Sequence, residues 1–312
     1  MTVSAAPGGR PAADARPRTG CAALSEAARE PLAGTAPAAR RVVAVEHVGA
    51  WPRTVADHPD PDVTELFERL RRADVRLLLI RRPGRAGRDC DGARTVYLAD
   101  LAPGASRVRA RTVCSTDELV TVCLDPDAGE PVTDPVLLVC AHGRRDVCCA
   151  VRGRALAAEL DAEGADVWEC THLGGHRFAP TALVLPTGYA YGRLDTGSAL
   201  AALKAAAGGN VDPWACRGHA GLEPAQQLAE LAVREHTGIG DATALQVDAA
   251  DGPGAVAVRA TDGRVWTVDV RAGTGLPPRP PSCGAFPDAT VPLVAGVPVE
   301  LAGSARPVGP VG

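Results

Sequence analysis

The stretch Val136-Leu-Leu-Val-Cys140-Ala-His-Gly-Arg-Arg-Asp-Val-Cys-Cys149, with His172-Leu-Gly-Gly-His176 further along, decides how this chain is organised. The apolar run before Cys140 predicts a buried strand that ends at that cysteine. The segment that Cys149 opens has apolar and small residues at helical spacing, which predicts a helix packed on a sheet. Cys140 is therefore expected at the end of a strand, and Cys149 at the start of the following helix.

The two short motifs together supply four metal-binding side chains in two close pairs: Cys140, Cys149, His172 and His176. The i, i+4 spacing of the histidines would suit zinc on a helix. However, the two glycines between them would each cost about 1 kcal/mol in a helix interior, so a loop is favoured. Glycines let the backbone close around a bulky centre and donate N–H groups to sulfides, which fits an iron–sulfur cluster better than a bare ion.

Other interpretations of these side chains remain open from the residues alone. The simplest is two buried cysteines and two hydrogen-bonded histidines without a metal. Structural zinc sites usually have two to four residues between paired cysteines, so the eight between Cys140 and Cys149 fit zinc poorly. The pattern does not decide between Cys148 and Cys149 as the ligand, and Cys170 is a further substitute ligand.

The motifs Cys140-x8-Cys149 and His172-x-Gly-Gly-His176-Arg-Phe-Ala-Pro resemble the sucrase/ferredoxin-like family. The resemblance extends from about Cys21 to Cys283. It implies a thioredoxin-like ferredoxin domain whose [2Fe-2S] cluster is held by two cysteines and two histidines. It also implies that Cys149, not Cys148, is the ligand, and the Ser-Cys-Gly around Cys283 resembles a family feature without a known mechanism.

A second comparison concerns the frame after the histidines. Thioredoxin-like ferredoxins have a C-x3-C pair, an Ala-Pro and a hairpin with a Tyr-Gly-Arg strand. Here the same frame reads His172-x3-His176, Ala179-Pro180 and a hairpin over residues 182–194. The resemblance thus implies that two histidines replace two cysteines.

The order of predicted elements repeats in the two halves of the chain. The first half reads strand, helix, strand, hairpin and helix start, over residues 41–51, 62–72, 75–80, 94–113 and 115–119. The second half has the same order over residues 136–140, 149–162, 166–170, 182–194 and 197–207. Each strand–helix–strand unit predicts a parallel strand pair. We therefore expect a duplicated unit, in which Glu46 to Trp51 stand where the second copy has its cysteines.

The predicted fold class is α/β, in four regions. A disordered tail over residues 1–20 precedes a degenerate thioredoxin-like domain over residues 21–130. The thioredoxin-like [2Fe-2S] ferredoxin domain follows over residues 131–208. A small α+β region with a Pro/Gly-rich tail occupies residues 209–312, and its Thr261-Asp-Gly263 predicts a hairpin turn.

Composition excludes several classes of protein. The chain has 312 residues, 46% of them hydrophobic, and a net charge of −4, so no basic surface points to nucleic acid. No signal peptide or membrane span is recognisable, which predicts a cytoplasmic protein. In a reducing compartment, the ten cysteines point to metal or redox chemistry rather than to disulfides.

The predicted function is one-electron transfer by a [2Fe-2S] protein, with Cys140 and Cys149 on one iron and His172 and His176 on the other. The electron donor, the acceptor and the oligomeric state do not follow from the sequence. The alternatives are a zinc-stabilised binding module without redox activity and a thiol–disulfide protein that uses Cys148 or Cys149, although Cys-x-x-Cys is absent. A carrier is favoured over an enzyme, and no glycosidase carboxylate pair is recognisable.

The remaining cysteines and histidines are predicted to have ordinary roles. The cysteines expected to be unpaired are Cys21, Cys90, Cys114, Cys123 and Cys216. The histidines expected in turns or on the surface are His47, His142, His219 and His236. Arg144, Arg145 and Asp146 are interpreted as a solvated loop; alternatively, the two arginines offset cluster charge or dock a partner.

Overall fold

The computed structural model describes residues 20–84, 92–249 and 252–302. The predicted tail, apart from Gly20, and Cys90 lie outside the described residues. The described chain is a mixed α/β protein dominated by sheets.

Six α-helices lie within these described ranges, and none of them is long and apolar enough to cross a membrane. Their bounds are α1 Cys21–Ala27, α2 Pro61–Arg72, α3 Thr116–Leu124, α4 Arg154–Ala162, α5 Thr196–Ala207 and α6 Pro224–Thr237. A π-helical turn over Cys149–Gly153 leads into α4, so the predicted helix at Cys149 begins with a wider turn.

Ten strands of the described chain form one large sheet. In chain order they are β1 Arg41–Glu46, β2 Arg76–Arg81, β3 Arg94–Asp100, β4 Arg107–Val113, β5 Glu130–Pro131, β6 Val136–Cys140, β7 Val167–Cys170, β8 Thr181–Leu185, β9 Tyr189–Gly192 and β10 Cys216–His219. Their order across the sheet is β10-β9-β8-β6-β7-β2-β1-β3-β4-β5.

The two halves of this sheet have the same strand order. The first runs β2-β1-β3-β4 and the second β7-β6-β8-β9, each with one parallel pair followed by antiparallel neighbours. The halves meet where β2 pairs antiparallel with β7, with Ile80 opposite Cys170. The repeated element order expected from the sequence is therefore present. The domain boundaries stay a prediction, and β10, beyond residue 208, pairs with β9.

The first strand is shorter than predicted. Its pairing with β2 ends at Glu46, and the N–H of His47 donates the last hydrogen bond, to the carbonyl of Ile80. The chain then turns so that Trp51 is buried instead of continuing the strand.

The last part of the chain packs α6 against a second sheet. The strands of this region are β11 Leu245–Val247, β12 Gly254–Ala260, β13 Val265–Ala272, β14 Leu276–Arg279, β15 Asp288–Thr290, β16 Leu293–Ala295 and β17 Val299–Glu300. The predicted turn joins β12 to β13 with Gly263 at φ 94°, a conformation that glycine adopts without strain. Strands β14 and β15 form a separate pair that carries Cys283 between them.

A buried carboxylate fastens three distant segments of the chain together. Glu30 is 2% exposed and accepts hydrogen bonds from Ser25 of α1 at 2.8 Å, from Arg177 at 2.8 Å and from Arg279 of β14 at 3.0 Å. These hydrogen bonds outweigh burial, which alone would raise the pKa of Glu30, and hold that pKa below its usual value. We call these four residues the Glu30 hub.

Candidate metal centre

The four side chains singled out from the sequence lie at one edge of the large sheet. Cys140 is the last residue of β6, and Cys149 begins the π-helical turn that leads into α4. His172 and His176 follow the end of β7, which is parallel to β6. Because the carboxyl ends of parallel strands meet at one edge, residues far apart in sequence converge there. We call these four residues the Cys/His site.

Three of the four predicted ligands form a tight group. The Sγ atoms of Cys140 and Cys149 and a ring nitrogen of His172 all lie within 4.8 Å of one another. The distance from Cys140 Sγ to His172 Nδ1 is 4.0 Å. The S–H of Cys149, the imidazole of His172 and the N–H of Leu173 contact Cys140 Sγ and outweigh its burial, so they hold the pKa of Cys140 well below its usual value. The contact between the two thiols acts in the opposite direction on Cys149 and, together with burial, raises its pKa.

The fourth predicted ligand, His176, lies at the side of this group. Its ring centroid is 5.0 Å from that of His172, with the two rings tilted by 30°. Its Nδ1 is buried and has no hydrogen-bond partner among the described residues. Its Nε2 lies 4.0 Å from a carboxylate oxygen of Asp146. Burial lowers the pKa of His176 and so favours the neutral imidazole, the form that binds metals.

The glycines between the histidines have the predicted loop conformation. Gly174 and Gly175 have φ values of 95° and 69°, which few other residues adopt. A Cβ at Gly175 would also collide with the guanidinium of Arg217. That guanidinium donates a hydrogen bond to the carbonyl of Gly174 at 3.1 Å, and this bond holds the loop in place.

A third histidine braces the site, contrary to the sequence prediction. His142 was expected in a turn or on the surface, but it is only 2% exposed. Its Nε2 donates to the carbonyl of Pro52 at 2.6 Å, and its Nδ1 accepts from the N–H of His172 at 3.2 Å. The ring of Trp51 packs edge-on against it. The first half of the chain thus holds the backbone of a predicted ligand in place.

Two arginines, the half-buried Arg76 and the buried Arg217, lie close enough to the Cys/His site for its charge to act on them. Arg76 of β2 donates to the carbonyl of His172 at 2.5 Å, and Arg217 is 2% exposed. Burial lowers the pKa of both, to about 9 for Arg217, while the negative charge of Cys140 acts in the opposite direction. Neither forms a salt bridge with a carboxylate in the described part of the chain. A centre with anionic ligands would offset these charges.

A second group of possible ligands lies beside the first and was not foreseen. It consists of Cys21, Cys148, Cys283 and Asp146, whose ligand atoms lie within 4.8 Å of one another. We call it the three-cysteine cluster. Cys21 is therefore not the ordinary cysteine that was expected, and Asp146 is buried rather than solvated. The adjacent cysteines 148 and 149 point their sulfurs into different groups.

The remaining cysteines and histidines have other surroundings. Cys170 and Cys123 are buried, and burial raises the pKa of both, to about 12 for Cys123. Cys216 is also buried, whereas Cys114 is exposed; within the described ranges none of these four belongs to either group. His219 is buried, which contradicts the expectation of a surface position, and His236 is exposed as expected.

Comparison with known proteins assigns the chain to a family and gives little beyond it. The family model described as sucrase/ferredoxin-like matches residues 32–215. The chain is similar to the altered inheritance of mitochondria protein 32 of Meyerozyma guilliermondii, with 34% identity over 65 residues. That match covers 18% of this chain and 23% of the other protein, so it spans less than a quarter of that relative. No solved structure matches the chain significantly.

Proposed function

Since this chain belongs to the sucrase/ferredoxin-like family, we propose that it is a one-electron carrier whose [2Fe-2S] cluster is held by Cys140, Cys149, His172 and His176. The observation that carries the proposal is the convergence of two thiols and two imidazoles at one sheet edge. The donor chemistry fits the cluster, because thiolates and neutral imidazoles are ligands of Rieske-type centres. The Nδ1 of His176, which is buried and has no hydrogen-bond partner among the described residues, would supply the fourth donor. A bound cluster would accept and release one electron.

The protein supplies the surroundings that such a centre requires. The N–H of Leu173 faces Cys140 Sγ, and hydrogen bonds to His142 and Arg76 fix the backbone N–H and carbonyl of His172. Arg76 and Arg217 place positive charge nearby, which favours a gain of negative charge on reduction. These groups would therefore raise the reduction potential.

The exposure of the four ligands indicates, in this proposal, through which side of the cluster electrons would enter and leave. Cys140 and Cys149 are fully buried, whereas the side chain of His176 is 14% exposed and His172 is half-buried. A donor or acceptor protein would thus approach the imidazole edge rather than the thiolate edge. Both partners remain to be identified.

The strand order supports the thioredoxin-like description of this unit. Residues 131–208 contain β6 to β9 in the order β7-β6-β8-β9, and residues 21–130 repeat it without a cysteine–histidine group among the described residues. We therefore propose that the first unit is a degenerate copy that braces the second. A reducing, cytoplasmic setting belongs to the same proposal, in which cysteines serve as ligands rather than in disulfides.

A zinc ion is the second candidate, and one observation favours it. Three donors within 4.8 Å of one another are close enough to bind a single ion. Purification under anaerobic conditions separates the two. The proposal predicts about two iron and two acid-labile sulfide per chain, with a reddish-brown colour that bleaches on reduction. A colourless protein with zinc at the Cys/His site would contradict it.

A further inference from the structure

The three-cysteine cluster is assembled from three segments that are distant in sequence. Cys21 begins α1, Cys148 directly precedes the π-helical turn with a helical backbone, and Cys283 lies between β14 and β15. Asp146 joins them: one oxygen accepts from the N–H of Cys148 and the other from the N–H of Cys283, both at 2.8 Å. The Glu30 hub holds two of these segments together. The cluster is therefore a built feature of the fold rather than a chance meeting of surface thiols.

The spacing of the sulfurs matches the edge of a tetrahedral metal site. The three Sγ–Sγ distances are 3.8 Å for Cys21 and Cys148, 3.3 Å for Cys148 and Cys283, and 3.6 Å for Cys283 and Cys21. Four ligands around a zinc ion with Zn–S bonds of about 2.3 Å would be about 3.8 Å apart. The carboxylate oxygens of Asp146 lie 3.6 and 3.7 Å from Cys21 Sγ, close to the same edge length. A disulfide would draw two sulfurs together and leave the third apart, whereas these three are nearly equidistant.

The backbone around the sulfurs is arranged as it is around metal-bound thiolates. The backbone N–H of Ala22 faces Cys148 Sγ, and the backbone N–H of Cys21 faces Cys283 Sγ. Gly20 adopts φ −62°, which any residue can adopt, yet a Cβ there would lie 2.7 Å from Cys148 Sγ. The glycine is thus required by the sulfurs and not by the backbone. Such N–H donors orient and tune metal ligands.

Among the described residues, no arginine or lysine pairs with the carboxylate of Asp146, although a buried charge normally has such a partner. Its side chain is 0% exposed, and its single ion-pair contact among the described residues is His176 at 4.0 Å. Buried charges in proteins are paired or coordinate metals. A divalent cation bound by three thiolates and this carboxylate would place positive charge beside Asp146 and would match the geometry of the sulfurs.

We infer that Cys21, Cys148, Cys283 and Asp146 form a second, structural metal site that binds one zinc ion in tetrahedral geometry. The site closes the N-terminal helix and the β14–β15 segment over the start of α4. It lies directly beside the Cys/His site, because Cys148 and Cys149 are neighbours and Asp146 contacts His176. It does not depend on which cofactor the Cys/His site holds.

The experiment measures zinc and iron separately in the purified full chain after exposure to zinc sulfate and removal of free metal. We expect one zinc per wild-type chain in addition to any metal at the Cys/His site. In Cys21→Ser and in Cys283→Ser, the zinc retained at this site per chain should fall at least tenfold. The iron content and the circular dichroism spectrum should stay unchanged. Cys114→Ser, at an exposed cysteine outside both groups, is the matched control and should retain it.

A glycine variant and the state of the three thiols provide two further tests. Gly20→Ala leaves all four ligands in place but puts a methyl group against Cys148 Sγ, so it should weaken zinc retention more than Cys114→Ser does. Mass spectrometry of the unreduced wild type should find the three thiols free. Zinc retained in both Cys21→Ser and Cys283→Ser, or a disulfide among the three cysteines, would overturn the inference. If the Cys/His site itself holds zinc, the wild type carries two ions and these variants lose one.

Discussion

Replacing Glu30 by glutamine should test how the segments around both sites are held together. The substitution keeps the shape of the side chain but removes a charge that faces Arg279, 5% exposed, and Arg177. Breaking a buried ion pair by removing one partner costs about 3–5 kcal/mol. Because glutamine retains one acceptor oxygen and Arg177 can reach water, we expect the lower end, about 3 kcal/mol. Urea unfolding at pH 7, followed by circular dichroism, measures the change.

The same substitution should have a defined pH dependence. The pKa of Glu30 is lower in the folded chain than in the unfolded chain, so its stabilisation is present above the unfolded value and lost as the pH falls through the folded one. The difference between wild type and Glu30→Gln should therefore shrink below about pH 4. Glu65→Gln is the matched control, since Glu65 forms an exposed pair with Arg69 and should change stability by about 0.5 kcal/mol or less. If the free energy of unfolding of Glu30→Gln at pH 7 lies within that margin of the wild-type value, the Glu30 hub does not hold these segments together.

Three further predictions concern charge. If the cluster survives, His172→Cys or His176→Cys should lower the reduction potential by on the order of 100 mV or more, because an anionic ligand replaces a neutral one; voltammetry measures this. Arg76→Met should also lower the potential without loss of iron, and an unchanged potential would show that its charge does not reach the centre. The pKa of His47 is lowered to about 4 by burial and by the charges of His58 and Arg94, so the wild type should lose stability as the pH drops from about 6.5 to 4. His47→Gln should flatten this pH dependence of the unfolding free energy in urea titrations. An equal slope in both proteins would contradict a neutral His47 imidazole in the folded chain.

The elements with strong local signals were predictable from the sequence. Strand β6 has the predicted bounds because its apolar run is buried on both faces. Helix α5 begins one residue before the predicted start, where Asp195 caps it. Helix α1 was missed because it is short and has no side-chain cap at Gly20. Strand β10 was missed because Arg217 and His219 are polar, and the partners that permit their burial lie far away in sequence.

The two candidate sites also differ in how far the sequence alone could predict them. The ligands of the Cys/His site are close in sequence, so their spacing and the intervening glycines carried a readable signal. In the three-cysteine cluster, Cys21 and Cys283 are separated by 262 residues, and no spacing rule relates them. The available signal in the sequence was the adjacent pair Cys148 and Cys149, because two neighbouring side chains of this kind usually contact different surroundings. The fold is needed to identify the residues that Cys148 contacts.

The most direct test of the central claim compares Cys148→Ser with Cys149→Ser after anaerobic purification. The two substitutions are chemically identical and adjacent, but their sulfurs point into different groups. Iron and acid-labile sulfide per chain, together with the optical spectrum, are the readout. The account predicts that Cys149→Ser loses the cluster, whereas Cys148→Ser retains about two iron and two sulfide and loses only zinc. Loss of iron in Cys148→Ser with iron retained in Cys149→Ser would contradict it.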